Sequence, residues 1–317
     1  MASDLPYSGE VSSRYPLTYA APDAADSPLR RAVFVPRYPT NPHMQIPDHV
    51  ITKSGPAAGP TVAIFGGVHG NERAGILTVG RLAATLAPIA GTVHLVYANP
   101  PAISKNVRQV DANLNRLFAR KGEAPSLYEH RRAAELMGLL DGCDALLDLH
   151  SYPSPMSPET AIPFAICEAE HRPIAALFDV PMVVSGFTAA EEGGSDGYMH
   201  LRGKTGICVE LGANELPEPA VDLGMDTALK FLAHFGCIGP APVSPKPQRH
   251  LTLTTFYKKS AADFKFARPF RTFDRLAAGD PIAADAGLSL VADKDAYIIF
   301  PNDTRPVGVE AFLLARE

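Results

Sequence analysis

Several things are missing from this sequence, and each absence removes a class of function. No run of about 18 consecutive apolar residues occurs, which excludes a membrane-spanning helix. The first residues, MASDLPYSGEVSSRYPLTY, have no basic start followed by an apolar stretch, so no secretory signal is expected. Basic residues are not in excess: 29 Lys and Arg stand against 34 Asp and Glu, a net charge of −5, so no nucleic-acid partner is expected. Cysteine is scarce. The four present (Cys143, Cys167, Cys208 and Cys237) form no CxxC pair, and three sit in apolar settings, as buried reduced thiols of a soluble cytoplasmic protein do. The glycines near residue 70 are not followed by Lys-Ser/Thr, and no GxGxxG occurs, which removes the two common phosphate cradles. No repeat of 20–50 residues is visible.

What remains is an ordinary globular balance, 46% hydrophobic and 20% charged, over 317 residues, enough for one large domain or a large and a small one. Residues 1–60, rich in Pro and Asp, read as a partly irregular arm with one strand at Arg31–Val35. Apolar, β-rich runs follow at Thr61–Phe65, Thr92–Ala98, Asp144–Leu149, Pro163–Cys167 and Gly206–Leu211. Helical spacing covers Arg73–Leu86. Ser126-Leu-Tyr-Glu129 reads as a capping box that opens a helix to Asp141, with Gly142 at its C-cap. A last helix runs from Pro219 to Gly236. This alternation predicts an α/β fold, a mainly parallel sheet covered by helices on both faces, in a domain over 61–238. The Pro-rich stretch at 239–247 reads as a semi-rigid linker. Beyond it LTLTTFY, DFKFARPF, LSLVA and AYIIF alternate as strands, and predict a small all-β domain over 248–317.

The chemistry gathers at strand ends, where ligands bind in open parallel sheets. The first central strand ends in Gly66-Gly67-Val68-His69-Gly70-Asn71-Glu72. An imidazole and a carboxylate three residues apart can face one cation if the chain turns tightly, as glycine permits. A catalytic zinc needs a third protein ligand, and His150, ending DALLDL, is placed to supply it. Glu210 ends the otherwise apolar GICVEL; it is either a salt-bridged structural group or a carboxyl whose pKa burial raises for proton transfer. The segment from Arg108 to Arg116, with two Arg and two Asn, is either a solvated loop or a carboxylate-binding one.

GGVHGNERAG, NPPAISKNVRQVDANLNRLF, LLDLHS and VELG, in that order, resemble the succinylglutamate desuccinylase/aspartoacylase family. The likeness covers roughly residues 60–215. It implies a fold like that of the zinc carboxypeptidases and one Zn2+ per chain, held by His69, Glu72 and His150. It implies Glu210 as general base and acid, Arg108 on the scissile carbonyl, and Asn115 and Arg116 on the substrate carboxylate. Asp148, two residues before His150 on the strand, would share its face and orient it. His200 falls where aspartoacylases carry a substrate-selecting arginine, which argues against N-acetylaspartate. A tyrosine from the C-terminal region is also implied, with Tyr257 and Tyr297 as candidates. The expectation is a zinc amidohydrolase acting on a small N-acyl amino acid, with homo-oligomerisation open. Two rivals stand beside it: a carboxypeptidase acting on short peptides, and a non-catalytic metal- or ligand-binding protein.

Overall fold

A computed structural model of the chain describes residues 49–119, 126–154, 156–190, 192–243 and 246–317. The strand expected at Arg31–Val35 lies outside the described residues. The described residues belong to one compact unit.

The described chain starts with β1 (Val50–Ser54), within the stretch expected to be an arm, and β2 (Ala57–Gly66), which begins there and takes in the strand expected at Thr61–Phe65. It continues through α1 (Arg73–Thr85), β3 (Ala90–Tyr97), α2 (Pro100–Lys105), α3 (Tyr128–Asp141) and β4 (Ala145–Tyr152). Next come β5 (Phe164–Ile166), α4 (Arg172–Ala175), β6 (Met182–Ser185), α5 (Phe187–Ala190), α6 (Ser195–His200), β7 (Thr205–Ala213) and α7 (Pro217–His234). Only strands follow: β8 (Arg249–Lys258), β9 (Lys265–Phe266), β10 (Arg275–Leu276), β11 (Pro281–Asp285), β12 (Leu288–Val291), β13 (Ala296–Ile299) and β14 (Glu310–Arg316).

Eleven strands form one mixed sheet in the order β1-β3-β2-β4-β7-β5-β6-β8-β14-β13-β10. β3, β2, β4 and β7 run parallel, and β5 is antiparallel to β7. β6 pairs in parallel with β8, so the C-terminal strands continue the central sheet across the proline-rich stretch. β9, β11 and β12 form a separate antiparallel sheet of three.

The central strands are apolar on both faces because both are covered. Along β2, Val62 and Ile64 pack with α1 and α7, whereas Ala63 and Phe65 pack on the opposite face with Leu136, Met137 and Leu140 of α3. All eight residues of β4 are buried. Asp148 and His150 therefore lie inside the protein, two apart on one face. Register sets His150 beside Glu210 of β7 and Asp148 beside Cys208. All four cysteines are buried and unpaired. No helix among the described residues is long and apolar enough to cross a membrane.

Two helix starts differ from expectation. The last helix begins at Pro217, two residues early, so that both Pro217 and Pro219 sit in its first turn, where a missing amide costs nothing. The capping box at Ser126–Glu129 does not form: Leu127 is the N-cap and no side chain of its own caps the helix. Asp111, far away in sequence, accepts the Tyr128 amide at 2.8 Å instead. Glu129 is fully buried and turns to the 110–112 loop, where it accepts the amides of Val110, Asp111 and Ala112 and the side-chain amide of Asn99. Four donors to Glu129 outweigh the single helix-start amide that its carboxylate would satisfy in a capping box.

Candidate metal centre and active site

The loop after β2 needs glycine twice. Gly67 has φ +74°, the left-handed region. Gly70 lies so close to α2 that a Cβ would come within 2.1 Å of the Ala102 carbonyl carbon. The resulting turn, with the Glu72 amide donating to the His69 carbonyl at 3.2 Å, brings both side chains to one point. Glu72 is the N-cap residue of α1, yet its carboxylate does not cap the helix. It faces the two histidines: Oε1 is 2.7 Å from His69 Nδ1 and Oε2 is 2.9 Å from His150 Nδ1.

One donor atom from each of His69, Glu72 and His150 lies within 4.8 Å of the others, and all three residues are buried. His69 Nδ1 is buried without a satisfactory hydrogen bond, although it stands beside the carboxylate. Its other nitrogen, Nε2, is 3.0 Å from Asn113 Oδ1. Since Asn113 can only accept there, the ring proton sits on Nε2 and Nδ1 presents its lone pair. On the far side, His150 Nε2 is 3.1 Å from Asp148 Oδ2, which also accepts the Ser195 hydroxyl at 2.5 Å. Two imidazoles and a carboxylate converging at one point fit the donor set of a catalytic zinc.

Titration follows the same contacts. Burial lowers the His69 pKa to about 4. Burial works against charge on His150 too, but Asp148 and Glu72 raise its pKa well above the ordinary value. Burial would raise Glu72, but the two histidines hold it well below the usual carboxylate range. Glu210 has no cationic partner close enough to offset burial, and burial and then Glu72 push it up to about 8. Its Oε2 is buried with no hydrogen-bond partner.

Arg108 Nη1 is 3.2 Å from Glu72 Oε1, and the Gly70 amide donates to the Arg108 carbonyl at 3.2 Å. Asn115 Oδ1 accepts the Ser195 amide at 3.4 Å, and Arg116 Nη2 is 3.6 Å from Glu310 Oε1. Arg108, Asn115 and Arg116, with His69, Glu72, His150 and Glu210, line one cleft that opens to solvent.

His200 is not among the lining residues; its Nδ1 is 2.9 Å from Glu170 Oε1. Neither C-terminal tyrosine lines the cleft: the Tyr257 hydroxyl donates to Asp285, and the Tyr297 hydroxyl accepts from Arg249. The C-terminal region contributes Phe256 of β8, Glu310 of β14, and Phe300 and Arg305 of the connection between β13 and β14 to the wall instead. Asp196, which no local sequence signal marks, also lines the cleft, and burial together with Asp148 pushes its pKa up to about 6. Asn113 could have been suspected, because an amide in DANLNR has no reason to be apolar core. Nothing local marks Glu310 or Arg305.

Helices covering a mixed sheet, with a smaller antiparallel β region at the C-terminal end, make this a carboxypeptidase-like fold. Succinylglutamate desuccinylase from Vibrio cholerae superposes with a TM-score of 0.73 at 21% identity, covering 85% of each chain. The product-bound ectoine utilization protein from Ruegeria pomeroyi gives 0.66 at 22% identity, covering 84% of this chain and 88% of that one. Residues 58–234 match the succinylglutamate desuccinylase/aspartoacylase catalytic domain, and the chain belongs to that family of deacylases. Among curated relatives, aspartoacylase of Rattus norvegicus is 36% identical over 109 residues, 30% of this chain and 35% of its own length. N-alpha-acetyl-L-2,4-diaminobutyric acid deacetylase of Halomonas elongata is 29% identical over 214 residues, 62% of this chain and 60% of its own length. The match thus spans about a third of the first of these relatives.

Proposed function

We propose that the protein is a zinc-dependent amidohydrolase that removes the acyl group from an N-acyl amino acid or similar small carboxylate. The observation that carries this reading is the convergence of His69, Glu72 and His150 beside a buried, unpartnered Glu210 carboxyl. Zinc, one ion at this site, would be held by His69 Nδ1, the Glu72 carboxylate and His150 Nδ1, and when bound supplies Lewis acidity and acidifies a water.

The chain's own residues then divide the work. Glu210, raised toward neutrality by burial, takes the proton of the attacking water and returns it to the departing amine. Arg108 places a fixed positive charge at the cleft, where the carbonyl oxygen becomes negative. Asn115 and Arg116 hold the substrate carboxylate, Arg116 exchanging part of its contact with Glu310 for it. Asn113 fixes the His69 tautomer and Asp148 holds the far nitrogen of His150. Phe256, Phe300, Arg305 and Glu310 narrow the cleft from the C-terminal region, which favours a short acyl amino acid over a peptide terminus. Four buried, unpaired thiols agree with a cytoplasmic setting.

The test is metal content together with hydrolysis of a panel of N-acyl amino acids, before and after chelation. Release of free amino acid that chelation abolishes and zinc restores is expected. Glu210→Ala should keep the fold and the zinc and lose turnover; a folded, zinc-loaded Glu210→Ala enzyme working at the native rate would sink the proposed role. Faster release of C-terminal residues from peptides than deacylation would favour the carboxypeptidase.

A further inference from the structure

A second group of metal-ligating side chains stands outside the cleft. Glu170 and His171 share the short turn Ala169–His171 that leads into α4, and His200 is the last residue of α6. One donor atom from each lies within 4.8 Å of the others. His200 Nδ1 is 2.9 Å from Glu170 Oε1, and the two imidazole rings meet edge to face with centroids 6.0 Å apart. His171 is 9% exposed, and its Nδ1 is buried with no hydrogen-bond partner. A buried imidazole nitrogen left without a partner costs about 1–3 kcal/mol, so its persistence here asks for a ligand.

The neighbouring charged groups are otherwise engaged. Glu168 accepts the Thr188 amide at 3.1 Å, and Arg172 donates to the Ser185 hydroxyl at 3.2 Å. Neither needs Glu170, His171 or His200.

We propose that Glu170, His171 and His200 form a second divalent-cation site, suited to zinc or a similar borderline ion. Two imidazoles and one carboxylate are the donor types such an ion takes, at about 2.0–2.2 Å each. Donors on a tetrahedral ion then stand about 3.4 Å apart. The 2.9 Å contact between His200 and Glu170 must open by roughly half an ångström. Glu170 can give way, since its side chain is 57% exposed. Water completes the coordination on the open side.

The site shares no residue with His69, Glu72 and His150, and it stands or falls independently of the deacylase reading. It would also be structural in effect. α6 carries Ser195 at its other end, bonded to Asp148 behind His150. An ion fastening His200 to the 170–171 turn braces the helix that supports the cleft.

The experiment counts zinc per full-length chain, by elemental analysis after equilibration with zinc in the presence of a weak competing chelator. His200→Ala is expected to lose one equivalent relative to the parent, and Glu170→Gln to weaken that equivalent by at least about tenfold. His69→Ala should lose a different equivalent and keep this one. Cobalt substituted into His69→Ala should give the visible absorption of a tetrahedral site, which His200→Ala removes. Both His200 and Glu170 are partly exposed, so neither variant threatens the fold. Zinc content unchanged in His200→Ala and Glu170→Gln would overturn the proposal and leave an ordinary His–Glu ion pair.

Discussion

Asp111 and Glu129 hold each other's chain segments. The Asp111 amide donates to Glu129 Oε2 at 2.9 Å, while Asp111 Oδ2 accepts the Tyr128 amide at 2.8 Å. The start of α3 and the loop that carries Arg108 are thereby locked together. Glu129→Ala should strand several buried amides at once and destabilise the protein by about 3–5 kcal/mol. Glu129→Gln, which keeps two of the acceptor sites, should cost less but misplace Arg108. Chemical denaturation checks the first statement. A fall in kcat greater than any rise in KM checks the second.

Asn113 acts on the cation through His69. Asn113→Ala removes the acceptor at Nε2 and frees the ring to change tautomer. Zinc affinity should fall about 10- to 100-fold, measured by competition with a chromophoric chelator. Asn113→Asp, which also accepts there, should retain far more.

The metal-free protein should lose stability as pH rises above about 6.5. Glu210, raised to about 8, and His150, raised well above its ordinary value, both keep in the folded state protons that the unfolded chain has released. The folded form therefore binds more protons across this window, and stability drops with pH. Glu210 alone contributes on the order of 2 kcal/mol between pH 6.5 and 8. His69, lowered to about 4, slopes the other way, but only below 6.5. Melting temperatures of the chelated protein across pH 6–8.5 give the slope, which Glu210→Gln should flatten.

Gly70→Ala should damage both fold and activity. The added methyl would meet the backbone of Ala102 and Ile103, which cannot yield as a side-chain tip can. A loss of about 1–3 kcal/mol is expected, with the His69–Glu72 turn displaced. Unfolding curves and zinc affinity report the two effects separately.

Much of this arrangement is legible in the linear chain. His69, Glu72, His150 and Glu210 are conspicuous because polar residues end strands that are otherwise apolar, and strand ends are where an open sheet presents its ligands. The helix of Ser126–Asp141 is legible, but not its cap, because the partners of Glu129 lie 17 to 30 residues upstream and no local pattern announces them. β1 escapes notice since VITKS is short and half exposed, and its place is fixed by antiparallel pairing with β3. His200 sits near the cleft in sequence logic, yet α6 ends with its ring turned to Glu170 and His171. The cleft wall from Phe300, Arg305 and Glu310 depends on long-range strand pairing, which composition cannot reveal.

The continuity of β6 with β8 has a consequence for how this chain can be divided. Leu251, Ile299 and Leu313 share a buried cluster with Phe164 and Val184. Ending the chain within the prolines of 239–247 would uncover that apolar surface and leave β6 as a bare, unpaired edge. Such a fragment would present a template for self-association, so the family-matched portion of the chain is a poor candidate for an independently soluble enzyme.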